Sequence, residues 1–247
     1  MECVAPNDLR LSFVTCVSRM DVLSQQLARS PCLQKGSLAW TAYFNCTSAA
    51  QAFNQALRGS TSTDWLIWVH QDVYLPEDWD QQFRQSLTQA MRQWPHLAVA
   101  GVYGIQGAGN QGRRAGHVLN RGQVLQEPTP LPCLVESLDE LLVAVRVSSG
   151  LQMDPAMGFD FYATDLVLQA QEAGLCSAVV GAFCEHWSDT PASGVMPAQL
   201  VARVKTNAHA FESKWVHRLP VRTPCFAISR PGDVSAFVDS IAVPDKA

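Results

Sequence analysis

Hydrophobic positions along the chain follow two alternating patterns. Short, mostly apolar stretches typical of buried strands are separated by segments in which apolar residues recur every three or four positions, as in amphipathic helices. The predicted strands are residues 9–17, 40–45, 65–69, 97–103, 141–147 and 175–183. The predicted helices are residues 21–29, 49–59, 76–94, 164–173 and 197–215. This alternation favours an α/β fold with a mostly parallel central sheet flanked by helices.

The predicted strand at residues 65–69 ends abruptly in polar residues. It carries no charge, which indicates burial on both faces, and His70, Gln71 and Asp72 follow it directly. Ligand crevices of open α/β sheets lie at the carboxyl ends of the strands, so a His-x-Asp at this edge is a candidate site. The same residues also fit a plain strand edge at which Asp72 caps the next turn. The motif alone favours neither interpretation.

A second imidazole is expected at the same edge. The predicted strand at 175–183 leads into Cys184, Glu185 and His186. An imidazole after one strand and a carboxylate after another can share a divalent cation. Asp72 alone would hold Mg²⁺ or Mn²⁺ only with the help of water and substrate phosphates.

Two polar residues in the N-terminal part of the chain are also candidates for ligand binding. Arg19 comes after the first strand, where its cation suits a phosphate, although a single surface Arg is more often solvated. Asn54 lies inside the helix that a Ser48–Gln51 capping box opens, and Asn is a poor helix former. Its amide either faces a base or ribose or occupies an exposed neutral position.

Residues 104–122 differ in composition from the segments around them. The many glycines and the adjacent Arg113 and Arg114 predict a mobile loop. Residues 107–112 match Gly-x-Gly-x-x-Gly, but no helical pattern follows them, which argues against a dinucleotide site. Arg113, Arg114 and His117 would contact a phosphate or an acceptor when the loop closes, or would simply be solvated.

Two carboxylates lie among aromatic residues near the predicted fourth helix. Burial beside Phe161 and Tyr162 would raise the pKa of Asp160 or Asp165, which suits a general base. Asp165 also fits the first turn of a helix capped by Thr164, where a carboxylate is favoured without any catalytic role.

Composition narrows the possible partners. The 247 residues, 47% of them hydrophobic, suffice for one large domain, which we assign to residues 1–218, followed by a Pro-rich extension at 219–247. A net charge of −4 without a run of Lys or Arg argues against nucleic acid or an anionic membrane as partner.

No signal peptide or apolar run of the ~20 residues that span a bilayer is evident, so we expect a cytoplasmic protein. The eight cysteines lack Cys-x-x-Cys spacing and are expected to be buried thiols.

Four segments taken in order resemble a known family. They are residues 42–56, 69–76, 138–146 and 158–170, in which His-Gln-Asp-Val and the later Phe-Tyr-x-x-Asp are fairly specific. The sequence resembles the glycosyltransferase-like domain named after a streptomycin-biosynthesis protein, within the family 2 glycosyltransferases. The resemblance covers about residues 10–190. It implies a GT-A-like nucleotide-diphospho-sugar transferase fold.

The resemblance also implies roles for matched positions. Asp72 corresponds to the metal-binding Asp of the family's Asp-x-Asp motif, His70 to its first acidic position, and His186 would complete a site for Mn²⁺ or Mg²⁺. The residues implied to border the nucleotide sugar are Thr15, Arg19, Asn54, His70 and Gln71. The sequence departs from the family pattern at His70, which replaces an Asp, and at Tyr162-Ala163, which replace the Glu-Asp that supplies the base.

The implied function is metal-dependent transfer of a sugar from a nucleotide-diphosphate donor to the hydroxyl of an unknown acceptor, with inversion in one displacement. Asp160 or Asp165 would remove the acceptor proton. Two alternatives remain: a nucleotide-sugar-binding domain without turnover, or an interaction domain that uses its Trp-rich surface and tail. Donor binding without transfer would favour the first, and a stable partner without nucleotide binding the second.

Overall fold

A computed structural model describes residues 6–36, 38–188 and 196–242 of the chain. The α-helices of these residues are α1 Met20–Gln25, α2 Pro31–Gln34, α3 Ala49–Gly59, α4 Trp79–Gln93, α5 Tyr162–Glu172, α6 Ala198–Lys214 and α7 Asp233–Ser240. The strands are β1 Leu11–Val17, β2 Ala39–Phe44, β3 Trp65–Val69, β4 Val73–Tyr74, β5 Leu97–Gly101, β6 Tyr103–Gln106, β7 Arg113–Asn120, β8 Gln123–Gln126, β9 Cys133–Leu134, β10 Ser137–Leu138, β11 Leu142–Arg146, β12 Cys176–Val179, β13 Cys184–His186, β14 Val221–Arg222 and β15 Ala227–Ile228.

The central sheet has the strand order β2-β1-β3-β11-β5-β12-β9. Strands β2, β1 and β3 run parallel, as do β5 and β12, whereas β11 is antiparallel to both of its neighbours and β9 to β12. The prediction of an α/β fold with a mostly parallel sheet is confirmed. The direction of β11 was not predicted, because a run of apolar residues buried on both faces carries no information about strand direction.

The apolar run that forms β3 is explained by helices on both faces of the sheet. Leu66 and Trp68 pack into the layer that contains α3, α5 and α6, whereas Trp65, Ile67 and Val69 pack into the layer that contains α1 and α4. Each of these five side chains is at most 2% exposed. The first polar residue after them therefore lies at the edge where the sheet ends.

The glycine-rich segment 104–122 is not the mobile loop that its composition predicts. It forms β6 and β7, which pair antiparallel with each other, and β7 also pairs with β8 and with β13. Gly116, at φ +127°, permits this pairing because a Cβ there would press into the carbonyl of Val102 and lie 2.8 Å from Tyr103 Cα. The glycines thus serve close approach of backbones, and the ladder hydrogen bonds supply the order.

Gly116→Ala tests this explanation. The variant should lose about 2–4 kcal/mol of unfolding free energy, because positive-φ strain and a backbone clash add together. Gly122→Ala is the matched control: its φ is also positive, +77°, but nothing lies within 4 Å of the added Cβ. It should lose only about 1–2 kcal/mol. Equal losses in urea unfolding would contradict the close-approach explanation.

The described part of the tail packs onto the domain. Strands β14 and β15 form a hairpin, and Val221, Ile228, Val234 and Val238 are buried in the cluster that includes α5 and α6. The buried Glu212 of α6 accepts hydrogen bonds from the backbone N–H groups of Gly232 and Val234. The domain boundary at residue 218 stays a prediction.

Three smaller expectations are corrected or sharpened. Helix α5 begins at Tyr162 after Phe161 in the left-handed region, so Thr164 lies inside the helix and does not cap it. The cysteines of the described residues are free thiols, but only Cys32, Cys133 and Cys184 are buried as expected, whereas Cys16, Cys46 and Cys176 are partly exposed and Cys225 is exposed. Within the described residues no helix combines the length and the apolar character that crossing a membrane requires.

Candidate metal and nucleotide-sugar site

Two histidines and an aspartate meet where β3 and β13 end and β4 begins. Asp72 Oδ1 lies 3.5 Å from His186 Nε2 and 3.8 Å from His70 Nδ1. Pairing of β13 with β4 sets this geometry, since His186 is opposite Val73 and the N–H of Trp187 donates to the carbonyl of Asp72 at 2.9 Å. One ligand atom from each of the three side chains lies within 4.8 Å of the others, which is close enough to hold one metal ion.

Tyr162 fixes the protonation of His70. Its hydroxyl accepts from Trp68 Nε1 at 2.9 Å, donates to the carbonyl of Glu140 at 2.9 Å and lies 2.7 Å from His70 Nε2. A hydroxyl has one proton and two lone pairs, so His70 Nε2 must be the donor to it. The lone pair of the neutral His70 ring is therefore on Nδ1, the atom that faces Asp72.

His186 is held in the complementary way. Its Nδ1 lies 3.1 Å from Asn120 Oδ1, an acceptor, so Nδ1 carries the proton and Nε2 presents its lone pair to Asp72. Two lone pairs and a carboxylate oxygen thus converge, which requires either an added proton or a cation between them. Imidazole nitrogens oriented by a second hydrogen bond are typical of metal sites, and the residues fit a divalent metal.

The electrostatics of the cluster favour a cation over a proton. Burial lowers the pKa of His70, which disfavours the imidazolium form. Burial alone would raise the pKa of Asp72, but a hydrogen bond from His186 and positive charge on the two imidazoles, in their protonated forms, lower it to about 2. A metal cation bound between the neutral rings would stabilise the carboxylate in the same way. A neutral imidazole and an ionised carboxylate are the forms that bind metal.

A cavity of about 420 Å³ opens beside the cluster. Its walls are formed by Cys16, Val17, Ser18, Asn45, Cys46, Trp68, His70, Gln71, Asp72, Phe159 and Arg203. Gln71 shapes one wall, because its Oε1 accepts from the backbone N–H groups of Ser18 and Arg19, each at 3.1 Å, and its Nε2 donates to Ser18 Oγ. Arg203 is the only Arg or Lys side chain among the described residues that line the cavity.

Three residues predicted to border a nucleotide occupy other positions. Thr15 is 1% exposed and does not line the cavity. Arg19 points its guanidinium at Asp21, at 2.5 Å, and only its backbone faces Gln71. Both ends of the Asn54 amide bind the backbone of Met153, at 2.8 and 3.0 Å, so Asn54 ties α3 to the segment before α5. This bond, and not a base or ribose, explains an Asn within the helix.

The two predicted bases are both engaged. Asp160 accepts two hydrogen bonds from Arg203, at 3.0 and 3.1 Å, and one from Asn207 at 2.7 Å. Asp165 is fully buried, and its oxygens accept from Trp215 Nε1, Gln169 Nε2 and Lys214 Nζ. Burial raises the pKa of Asp165, as predicted, but the residue has no free oxygen for a substrate proton. Asp165 is a structural residue in this geometry.

The residues assigned to an acceptor loop lie on β7. Arg114 donates to the carbonyl of Pro224 in the tail at 3.1 Å, and the ring of His117 packs on Phe183 with centroids 4.6 Å apart. Arg113 is exposed at the start of the strand. None of the three lines the cavity, because β7 is paired with β6, β8 and β13 instead of folding over the site.

Sequence reasoning missed Arg203, Asn120 and Glu140. Arg203 is a polar position of a long helix, and nothing in its sequence context separates it from a solvated face. Asn120 reaches the site only because β7 and β13 pair. The glycine-rich composition of this segment predicted a loop and gave no indication of that pairing. Glu140 did give a signal, since Asp139 and Glu140 are adjacent carboxylates directly before a buried strand.

Comparisons with known proteins identify structures of similar fold but no protein family to which the chain can be assigned. No protein-family model matches the chain, and no curated protein matches it. The mannosyltransferase PcManGT from Pyrobaculum calidifontis, in complex with GDP-Man and Mn²⁺, is 11% identical and superposes with a TM-score of 0.51 over 95% of this chain and 70% of that chain. GalNAc-T7 with UDP, GalNAc and Mn²⁺ is 11% identical, with a TM-score of 0.49 over 94% and 54% of the two chains. S. aureus TarS in complex with UDP-GlcNAc is 10% identical, with a TM-score of 0.42 over 82% and 66%.

The likeness to the mannosyltransferase, together with the strand order, shows that the chain has the GT-A fold of glycosyltransferases. At this identity it shows the fold alone. Any function must therefore be inferred from the cluster and the cavity.

Proposed function

We propose that the protein is a metal-dependent glycosyltransferase that moves a sugar from a nucleotide-diphosphate donor to an acceptor hydroxyl. The observation that carries this proposal is the convergence of His70 Nδ1, Asp72 Oδ1 and His186 Nε2 beside a cavity at the carboxyl edge of a GT-A sheet. That edge is where α/β folds bind their ligands. The resemblance of residues 42–56, 69–76, 138–146 and 158–170 to family 2 glycosyltransferases supports the same function.

The ligand set favours Mn²⁺ over Mg²⁺. Mg²⁺ prefers an octahedral shell of oxygens, whereas two imidazole nitrogens suit a softer divalent ion. Bound at the cluster, such an ion would neutralise the diphosphate that leaves the sugar. Mn²⁺ is also the ion present with GDP-Man in the mannosyltransferase of the same fold.

The residues of the chain itself would orient the donor. Gln71 holds the backbone of Ser18 and Arg19 as a fixed cavity wall, and Tyr162 holds the ring of His70. Arg203 adds a cation whose direction is set by two hydrogen bonds to Asp160. A cation fixed in this way suits an anionic group of the substrate, since a guanidinium in place loses little entropy on binding. Transfer in one displacement would invert the sugar carbon.

A second candidate is binding of the nucleotide sugar without turnover. The observation that favours it is the engagement of both predicted bases, Asp160 and Asp165, in ion pairs. The two candidates share the donor site and differ only in chemistry.

Thermal unfolding with a panel of nucleoside diphosphates and nucleotide sugars tests the donor site. Each ligand is measured with Mn²⁺, with Mg²⁺ and with a chelator. A ligand at about 100 times its dissociation constant should stabilise the protein by about 2.7 kcal/mol, or raise Tm by about 5–10 °C. We expect one nucleotide to do so with Mn²⁺ and to lose the effect with the chelator. No stabilisation by any nucleotide with Mn²⁺ would refute the proposal, and release of nucleoside diphosphate separates turnover from binding.

A further inference from the structure

Glu140 carries a carboxylate oxygen that the fold leaves free. Its Oε1 is buried without a hydrogen-bond partner, and no other carboxylate oxygen of the described residues is in that state. A buried acceptor without a partner costs about 1–3 kcal/mol, so such a group calls for a reason other than stability. Asp160 and Asp165, in contrast, have both oxygens occupied.

Glu140 lies next to the metal cluster. It stands between β10 and β11, and its backbone carbonyl accepts the Tyr162 hydroxyl that also contacts His70 Nε2. The charges of Asp160 and of Arg203, a cavity residue, act on its carboxyl group. Arg203 lines the cavity, and Glu140 is partly exposed as a residue although its Oε1 is buried.

The surroundings of Glu140 make its anion a strong base. Burial raises the pKa of Glu140 well above its ordinary value, and the nearby carboxylates of Asp160 and Asp139 act in the same direction. Arg203 and the backbone N–H of Phe161 oppose them only in part. A carboxylate whose charge is poorly solvated takes up a proton readily, which is the property a general base needs.

We propose that Glu140, through its unpartnered Oε1, is the general base of the transfer, an assignment that rests on the proposed function. The acceptor hydroxyl loses its proton to Glu140 Oε1 while its oxygen bonds to the sugar carbon. The bond from that carbon to the diphosphate breaks, and its electron pair leaves with the nucleoside diphosphate. Asp160 acts as a positioning residue that holds Arg203 and Asn207. This division of roles explains why the carboxylates closest to the family pattern are occupied.

Glu140→Gln separates this assignment from the proposed function. Glu136→Gln is the matched control, because Glu136 is a partly buried carboxylate close in sequence whose bond from Gln171 an amide oxygen can still accept. Donor binding is measured as Mn²⁺-dependent stabilisation by the nucleotide sugar, and turnover as release of nucleoside diphosphate to water and to a panel of hydroxyl acceptors. We expect Glu140→Gln to keep donor stabilisation and to lose at least about 100-fold in turnover. The control should keep both.

The outcomes are distinguishable. Turnover by Glu140→Gln within about threefold of wild type would overturn the assignment and leave the transferase intact, since general bases contribute about 100-fold or more. Wild-type protein that binds the donor but never releases nucleoside diphosphate would overturn the transferase proposal, and Glu140 as base with it.

A stability measurement tests the same carboxyl group without any substrate. Because the folded-state pKa of Glu140 is raised, the native protein retains a proton that the unfolded chain releases above its ordinary pKa of 4.5. Wild-type stability should therefore fall, relative to Glu140→Gln, as pH rises above about 5, until the carboxyl group ionises in the folded protein as well. A Tm difference between the two proteins that stays constant over this range would contradict the burial of an unpaired Glu140.

Discussion

Asp72→Asn is expected to abolish Mn²⁺-dependent binding of the nucleotide donor. Asp72 supplies the only carboxylate of the cluster, and both imidazole lone pairs point at its Oδ1. An amide keeps the shape of the side chain but removes the charge that makes a cation favourable between the two rings. Loss of a partner that merely orients a metal ligand costs about 10- to 100-fold in metal affinity, so loss of the carboxylate ligand itself should cost more than about 100-fold.

The measurement is titration of Mn²⁺ by electron paramagnetic resonance, followed by donor stabilisation in thermal unfolding. Asp8→Asn, a change at an exposed Asp outside the site, is the control and should bind as wild type does. Wild-type Mn²⁺ affinity in Asp72→Asn would show that the cluster is not the metal site. A variant that binds Mn²⁺ weakly and yet binds the donor normally would show that the donor does not depend on the ion.

Asp165→Ala should destabilise the fold by about 3–5 kcal/mol. The carboxylate is fully buried and accepts from Trp215 Nε1 at 2.8 Å, from Gln169 Nε2 at 2.6 Å and from Lys214 Nζ at 2.7 Å. Its removal leaves the indole N–H of a 2% exposed Trp215 without a partner and opens a void between α5 and α6. Urea unfolding gives the loss directly.

A second ion pair on α6 provides the control. Lys205 and Asp239 are 2.8 Å apart but 38% and 57% exposed, so Asp239→Ala should cost less than about 1 kcal/mol. Asp165→Asn tests the role in chemistry, because its amide oxygen can still accept from Trp215 while it can no longer act as a base. We expect Asp165→Asn to retain donor turnover. A fold that loses less than about 1 kcal/mol in Asp165→Ala would contradict the structural role.

The edge of the sheet was predictable from the sequence because it depends on local pattern. An uncharged run that stops at His70 fixes where β3 ends. Strand β12 of the same sheet runs in the same direction and ends at the same edge, and the chain then enters β13 of a neighbouring sheet, which carries His186. His70, Asp72 and His186 could therefore be brought together without coordinates. His70, the third candidate ligand, was assigned to the nucleotide instead, since its tautomer depends on Tyr162, a contact between residues far apart in sequence.

Residues whose roles depend on distant partners were not predictable. Asn54 was assigned to a ligand because its partner, the backbone of Met153, leaves no trace in sequence. Composition indicated a loop around Gly116 because it does not reveal how closely two backbones approach. Asp165 was expected as a base from its aromatic surroundings, which predict burial equally well for a structural ion pair.

Helix α6 links the tail to the candidate site, so the tail helps to hold the residues of the site in place. The same helix carries Arg203 to the cavity, Lys214 to Asp165, and Glu212 to the backbone of the tail at Gly232 and Val234. A chain cut short after residue 218 would uncover the buried face of α6 and release the anchor that sets its position. Shortened versions made for crystallisation would then have an altered cavity, although every residue that lines it would still be in the chain.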